Sequence, residues 1–248
     1  MNKAEALEKI RANIAKCGQH IYAVSGGPNP RFAYSIGLSQ DAGFELIMAG
    51  SSFYSNDEVG DVINNIASSL RNDSNRRQTK FEFGSKGVFL LREVEESWSA
   101  RLMLGALDYY STSNVAALQI VPDPPHHTVD VPDLSRPWNA ISEPVWQWLE
   151  TPWKYGIPKH SAVVTNLDAL RGKQITEAMR WEDTDWELFA GAGPDVDKDE
   201  IRIVPFGTLL GADTSIEPVV NLAVGKGLWR DPVDREWHPW EISNQTES

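Results

Sequence analysis

Four residues, Tyr34, Glu45, His126 and His127, are of types and in settings suited to chemistry. Glu45 stands between Phe44 and Leu46 in the apolar run Phe44-Glu-Leu-Ile-Met-Ala-Gly50. A carboxylate there either faces solvent or is buried with a partner and shifted in pKa, as functional carboxylates often are. Tyr34 and Ser35 alternate in Phe32-Ala-Tyr-Ser-Ile-Gly-Leu38, so one of the two faces the core. Ser35 has no Gly-x-Ser-x-Gly setting and is not a hydrolase nucleophile. His126 and His127 are adjacent in Pro-Pro-His-His-Thr; in extended chain they point opposite ways, and no third ligand is evident, so no metal site is expected. If these four side chains act together, it is in a pocket of the first domain's sheet. No cofactor is required.

A second set of residues points to binding rather than catalysis. The net charge is −12, and residues 181–248 hold fifteen Asp and Glu against five Lys and Arg. Glu182, Asp183, Asp185, Asp195, Asp197, Asp199 and Glu200 concentrate the excess. Such a surface repels nucleic acid and speeds encounter with a basic protein; plain solubility is the other reading of the same charge. Alternating carboxylates in Asp195-Val-Asp-Lys-Asp199 invite a calcium loop, but that loop needs Gly at its sixth position and Glu at its twelfth, where Glu200 and Phe206 stand.

The elements that must position these groups follow from periodicity. Residues 3–16 carry Ala6, Leu7, Ile10 and Ile14 on one stripe, which predicts a helix stopped at Gly18. Ile21-Tyr-Ala-Val24 predicts a strand, and the runs from Phe32 and Phe44 predict a hairpin at the middle of a sheet. Ser55 or Asn56 caps a helix whose apolar face is Val59, Val62, Ile63, Ile66, Ala67 and Leu70. A polar loop over 71–79, strands at 81–83 and 88–94, one helix over 98–110 and a strand at 116–121 complete the first domain. Eight prolines between Pro122 and Pro158, with Trp138, Trp146, Trp148 and Trp153, predict an ordered connector whose indoles pack on one or both domains. Beyond it, strands at 161–165, 185–190 and 201–204 and helical turns at 206–210 and 216–223 predict a second small domain. The expectation is an α+β fold of two domains, 1–125 and 160–243, joined by 126–159, each a mixed or mainly antiparallel sheet with helices packed on it. The single cysteine, Cys17, rules out an internal disulfide and reads as a small buried residue. No run approaches a membrane span and the N-terminus is charged and helical, so a cytoplasmic protein is expected.

Phe32-Ala-Tyr-Ser-Ile-Gly-Leu38, Glu45-Leu46, Gly50 and Ala117-Leu-Gln-Ile-Val-Pro-Asp123 resemble the bacterial domain-of-unknown-function family 4262 over roughly residues 10–125. Members carry an FAYTIGL-type motif, so Ser35 departs from the usual Thr and Phe44 from the usual Pro. That family brings no established activity. Residues 160–240 are similar to family 2185, found among immunity proteins of polymorphic toxin systems. The matching features are Ala162-Val-Val164, Asp185-Trp-Glu-Leu-Phe-Ala-Gly191, Val204-Pro-Phe-Gly-Thr-Leu-Leu210, Asp213, Arg230 and Trp237. The second resemblance implies an immunity-type protein that binds a cognate toxin, a basic one given the acidic surface, and occludes its active site. The alternative is an enzyme or small-ligand protein using the first domain's pocket.

Overall fold

In the computed structural model, residues 3–72, 78–233 and 236–240 are described. The first sheet is built from β1 (His20–Val24), β2 (Phe32–Ile36), β3 (Glu45–Ala49), β4 (Lys80–Glu82), β5 (Val88–Glu93) and β6 (Ala117–Pro122). Its spatial order is β1-β2-β3-β6-β5-β4; β3 and β6 run parallel at its centre and every other pair is antiparallel. The helices of this half are α1 (Lys3–Cys17), α2 (Ser39–Ala42), α3 (Asn56–Asn72), α4 (Glu96–Leu102) and α5 (Leu104–Tyr110).

The side chains of α3 explain one face. Val59, Val62, Ile63, Ile66, Ala67 and Leu70 recur at helical spacing and pack on Leu46, Met48, Phe89 and Ile120. Each large aliphatic buried there contributes about 2 kcal/mol before chain entropy is counted. Its start is fixed by reciprocal caps: Ser55 Oγ accepts from Glu58 N at 3.2 Å, and Glu58 Oε2 accepts from Ser55 N at 2.8 Å. These bonds hold the Glu58 carboxyl below its ordinary pKa. On the opposite face Ile10, Trp98, Leu102, Ala106, Val145 and Trp146 cover Tyr34, Ile36, Ile47 and Ala49.

The second sheet contains β7 (Ala162–Asn166), β8 (Glu177–Arg180), β9 (Asp185–Phe189), β10 (Ile201–Pro205), β11 (Lys226–Trp229) and β12 (His238–Pro239), in the order β10-β7-β9-β8-β11-β12. Only β7 and β9 are parallel. α6 (Leu167–Leu170), α7 (Phe206–Ala212) and a 3₁₀ turn at Thr214–Asn221 cover one face of it. The α+β class and two mixed sheets agree with the sequence reading.

The proline-rich stretch fastens the halves together. Trp146 enters the first core, its Nε1 donating to Asp130 O at 3.0 Å, while Trp148 enters the second, donating to Gly207 O at 3.0 Å. Gly207 and Gly211, one helical turn apart on α7, let this segment approach closely. A Cβ at 207 would lie 2.7 Å from Trp148 Nε1 and 2.2 Å from Pro28 O in the β1–β2 turn, and one at 211 would lie 2.5 Å from Pro144 O.

Several expectations are corrected. The helix expected over 98–110 is two, broken at Met103 (φ −99, ψ 38) so that Gly105 N donates to the Tyr34 hydroxyl at 2.9 Å. A short helix, α2, occupies the connection after Leu38. Three strands, β8, β11 and β12, were not expected. Cys17 is exposed, because it falls on the outer side of α1's last turn. In the loop expected over 71–79, Arg71 and Asn72 still belong to α3, and residues 73–77 lie outside the described residues, as do 241–243. Among the described residues, no helix is long and apolar enough to cross a membrane.

Candidate functional site

Glu45 is fully buried at the start of β3 rather than on a solvated face. Its carboxylate collects hydrogen bonds from the turn leaving β2: Gly37 N at 3.0 Å, Leu38 N at 3.3 Å, Ser39 N at 2.9 Å and Ser39 Oγ at 2.5 Å. Ser35 Oγ donates at 2.5 Å, and the Tyr110 hydroxyl at 2.5 Å. Six donors use up the acceptor capacity of two oxygens. The group is thereby committed to shaping the turn, with α2 starting on it. Ser35 Oγ also accepts from Leu46 N at 2.9 Å, which locks the hairpin. Burial and the Glu45 carboxylate raise the pKa of Tyr110, and burial raises that of Tyr34.

The expected pocket of Tyr34, Glu45, His126 and His127 does not assemble. β3 and β6 are parallel, so Glu45, which begins β3, and the histidines that follow β6 lie at opposite ends of the sheet. Tyr34 is fully buried under α5, stacked on Tyr22 at 5.4 Å. His126 Nδ1 is 2.5 Å from Asp123 Oδ1, and its ring packs on Phe53 and Tyr54. His127 alone opens onto a surface groove, and burial pushes its pKa down. Among the described residues, no group of three or more His, Cys, Asp or Glu comes together to hold a metal ion.

The acidic residues sit differently. Glu182, Asp183 and Asp185 are exposed at the start of β9, and Asp195, Asp197, Asp199 and Glu200 follow its other end in the loop to β10. They are two groups, not one. Between them lies the sheet face that, among the described residues, no helix covers. Cross-strand register puts Ile203 beside Val164, Val164 beside Glu187, Glu187 beside Met179 and Met179 beside Gly227 on that face. Ile203 is 73% exposed and Trp181 53%. Trp229 and Trp240 are exposed too, the Trp240 ring lying flat on Gly227. A depression of about 410 Å³ runs between Trp181, Trp240, Met179, Phe189 and Ile201, with Glu177 and Glu187 in its lining. The sequence reading found the acids but not this apolar face, because β8 and β11, which complete it, were missed.

The opposite face of this sheet is closed by a buried lock. Arg230 donates from Nε to Ile175 O at 2.5 Å, from Nη1 to Ser215 Oγ at 2.8 Å and from Nη2 to Asp213 Oδ2 at 3.0 Å, and its guanidinium lies 4.3 Å from the Trp237 ring centre. Asp213, Arg230 and Trp237 therefore hold the C-terminal chain against the 3₁₀ turn.

Residues 13–128 match the family model described as Domain of unknown function (DUF4262). The DUF4262 match takes in the whole first sheet and every donor to Glu45, so the network just described lies inside the part that resembles other proteins. No curated protein and no solved structure matches the chain. The resemblance of residues 160–240 to family 2185 gains no support from these comparisons.

Proposed function

We propose that the chain is an immunity-type binding protein of the cytoplasm that neutralises a cognate basic toxin by occluding its active site, with the open face of the second sheet as its contact surface. The observation that carries this reading is that face itself: Trp181, Ile203, Trp229 and Trp240 are exposed around a shallow depression, and carboxylates flank it at both ends of β9. Exposed aromatic clusters of this kind mark protein contacts, and tryptophan is a frequent anchor residue. The acidic rim suits a basic partner and repels nucleic acid. The resemblance of residues 160–240 to immunity family 2185 belongs to this reading and is not needed for the surface argument. An enzyme built on Tyr34, Glu45, His126 and His127 has less support, since these groups do not converge and Glu45 is saturated.

The test is kinetic. Reversing Asp195, Asp197 and Asp199 to Lys lowers the association rate with the toxin by about tenfold at low salt and flattens its salt dependence, with a smaller change in dissociation. An unchanged association rate removes this rim from the contact.

A further inference from the structure

Among the described residues, most arginines of this acidic chain pair with a carboxylate. Arg11, Arg71, Arg101, Arg136, Arg180 and Arg230 all do. Arg31, Arg92, Arg171 and Arg202 do not, and three of these donate to neutral oxygens instead: Arg31 Nη1 to Asn56 Oδ1 at 2.6 Å, Arg171 Nη2 to Pro125 O at 3.2 Å, and Arg202 Nε to Phe53 O at 2.8 Å. These cations gather at one place, the seam between the two sheets. Arg171 and Arg202 both lie over the Phe53 ring, at 5.9 and 5.5 Å; burial and, more weakly, Arg202 disfavour the charge on Arg31, and burial and Arg171 that on Arg202. In a chain with twelve more acids than bases, cations gathered at one seam with no carboxylate in direct contact among the described residues are a built electrostatic feature, even though Asp130, Glu58, Glu200 and Asp199 act on Arg31 and Arg202 from further off.

Beside that seam a groove of about 820 Å³ opens, within the range of small-molecule sites. Its floor is apolar: Val88 and Leu90 from β5, with Val121 from β6. Its polar lining is Arg92 and Lys80 on the sheet, His127 after β6, and Arg171 from the turn after α6. The carboxylate in the lining, Asp123, is already engaged by His126 Nδ1 and by Val88 N at 3.2 Å. Lys80 is paired with Glu82 at 2.9 Å. Asp133, which feels the charge of Arg92, is held by Ser135 and Arg136. Two guanidinium groups therefore face an apolar floor with, among the described residues, no carboxylate paired to either.

We propose that this groove binds a small organic oxyanion, an aromatic phosphate ester or a group of the same charge and size, with Arg92 and Arg171 holding the anion and Val88, Leu90 and Val121 receiving the ring. Planar guanidinium forks suit phosphate and carboxylate oxygens, which a lone ammonium such as Lys80 does less well. Because one cation comes from each half of the chain, an occupied groove also ties the halves together. The site is separate from the open face of the second sheet and stands or falls without it.

Calorimetric titration of the intact chain with phenyl phosphate, inorganic phosphate and benzyl alcohol tests the proposal. Phenyl phosphate binds saturably at one site with an affinity of about a millimolar or tighter, inorganic phosphate about tenfold more weakly, and benzyl alcohol without saturation. Arg92→Gln and Arg171→Gln each weaken phenyl phosphate about tenfold, whereas Arg11→Gln, on the outer surface of α1, leaves it unchanged. Both arginines are side chains outside the cores, and matching urea midpoints confirm that the variants fold. Absence of saturable phenyl phosphate binding, or binding indifferent to both groove substitutions, overturns the site. Equal affinity for inorganic phosphate overturns the role given to the apolar floor.

Discussion

The Tyr110 hydroxyl donates to Glu45 Oε1 at 2.5 Å while accepting from Gly37 N at 2.8 Å, so the last residue of α5 closes the network that shapes the β2–β3 turn. The pair spans 65 positions of sequence and joins a helix to the opposite end of the hairpin it covers. Glu45→Gln puts an amide N–H against a cluster of donors, Ser35 Oγ, Ser39 N and Oγ and the Tyr110 hydroxyl among them. We expect a loss of about 2–4 kcal/mol in urea unfolding. Ser35→Ala, which removes one donor and the brace on Leu46 N, costs about 1 kcal/mol. A Glu45→Gln protein as stable as the parent contradicts a structural role for this carboxylate.

Gly50 makes a contrasting prediction about the other end of β3. Its φ is +67, and a Cβ there would lie 2.0 Å from Asp130 O, a backbone atom that cannot give way. Gly43 has φ +85 but open space around it. Gly50→Ala should therefore abolish folding or cost more than about 3 kcal/mol, while Gly43→Ala pays only the left-handed backbone cost of about 1–2 kcal/mol. Equal midpoints for the two variants would show that the Gly50–Asp130 approach is not required.

Stability should depend on pH with a sign that the buried groups set. Burial lowers the pKa of His20, assisted by Lys9, and of His127, against the pull of Asp130 and with some help from Arg92. The folded state then holds both rings neutral where the unfolded chain, titrating near about 6.5, takes up protons. Stability from these groups is complete above that pH and is lost as pH falls through it. Glu143 works in the other direction, since burial raises its pKa and the folded state gains protons as the pH drops. Melting temperatures should fall between about pH 7.5 and 5.5. His20→Gln should flatten that fall and Glu143→Gln should steepen it; a melting temperature that rises over this interval is the opposite of what burial of these histidines requires.

Much of the architecture was legible in local pattern. The apolar stripe of α3, its Ser55 cap and the Phe32 and Phe44 runs carried their structure in their own spacing. What escaped was written in distant residues. β8, Glu177-Ala-Met-Arg180, is four residues long with a charge at each end and only two apolar side chains, and pairs only through partners on either side; β11 contains Gly227, which weakens any strand signal and is needed there by Trp240. The break at Met103 has no Gly or Pro at the residue itself and is placed by Tyr34. Glu45 was noticed from its apolar neighbours, but its burial rests on Tyr110 and on the turn at 37–39, which no local pattern announces.

The central claim is that the open face of the second sheet neutralises a basic toxin, and co-expression tests it most directly. The chain, tagged and purified from its host at low salt, supplies the partner, which is then expressed with and without this protein. Trp181→Ala and Ile203→Asp change exposed residues, so the fold should persist, and loss of one such anchor typically costs about 1–4 kcal/mol of binding. The account predicts a basic partner that is toxic alone, is silenced by the parent chain, and escapes silencing by the double variant. A toxic partner silenced equally well by that variant, or recovery of a well-folded chain with no toxic partner, contradicts it.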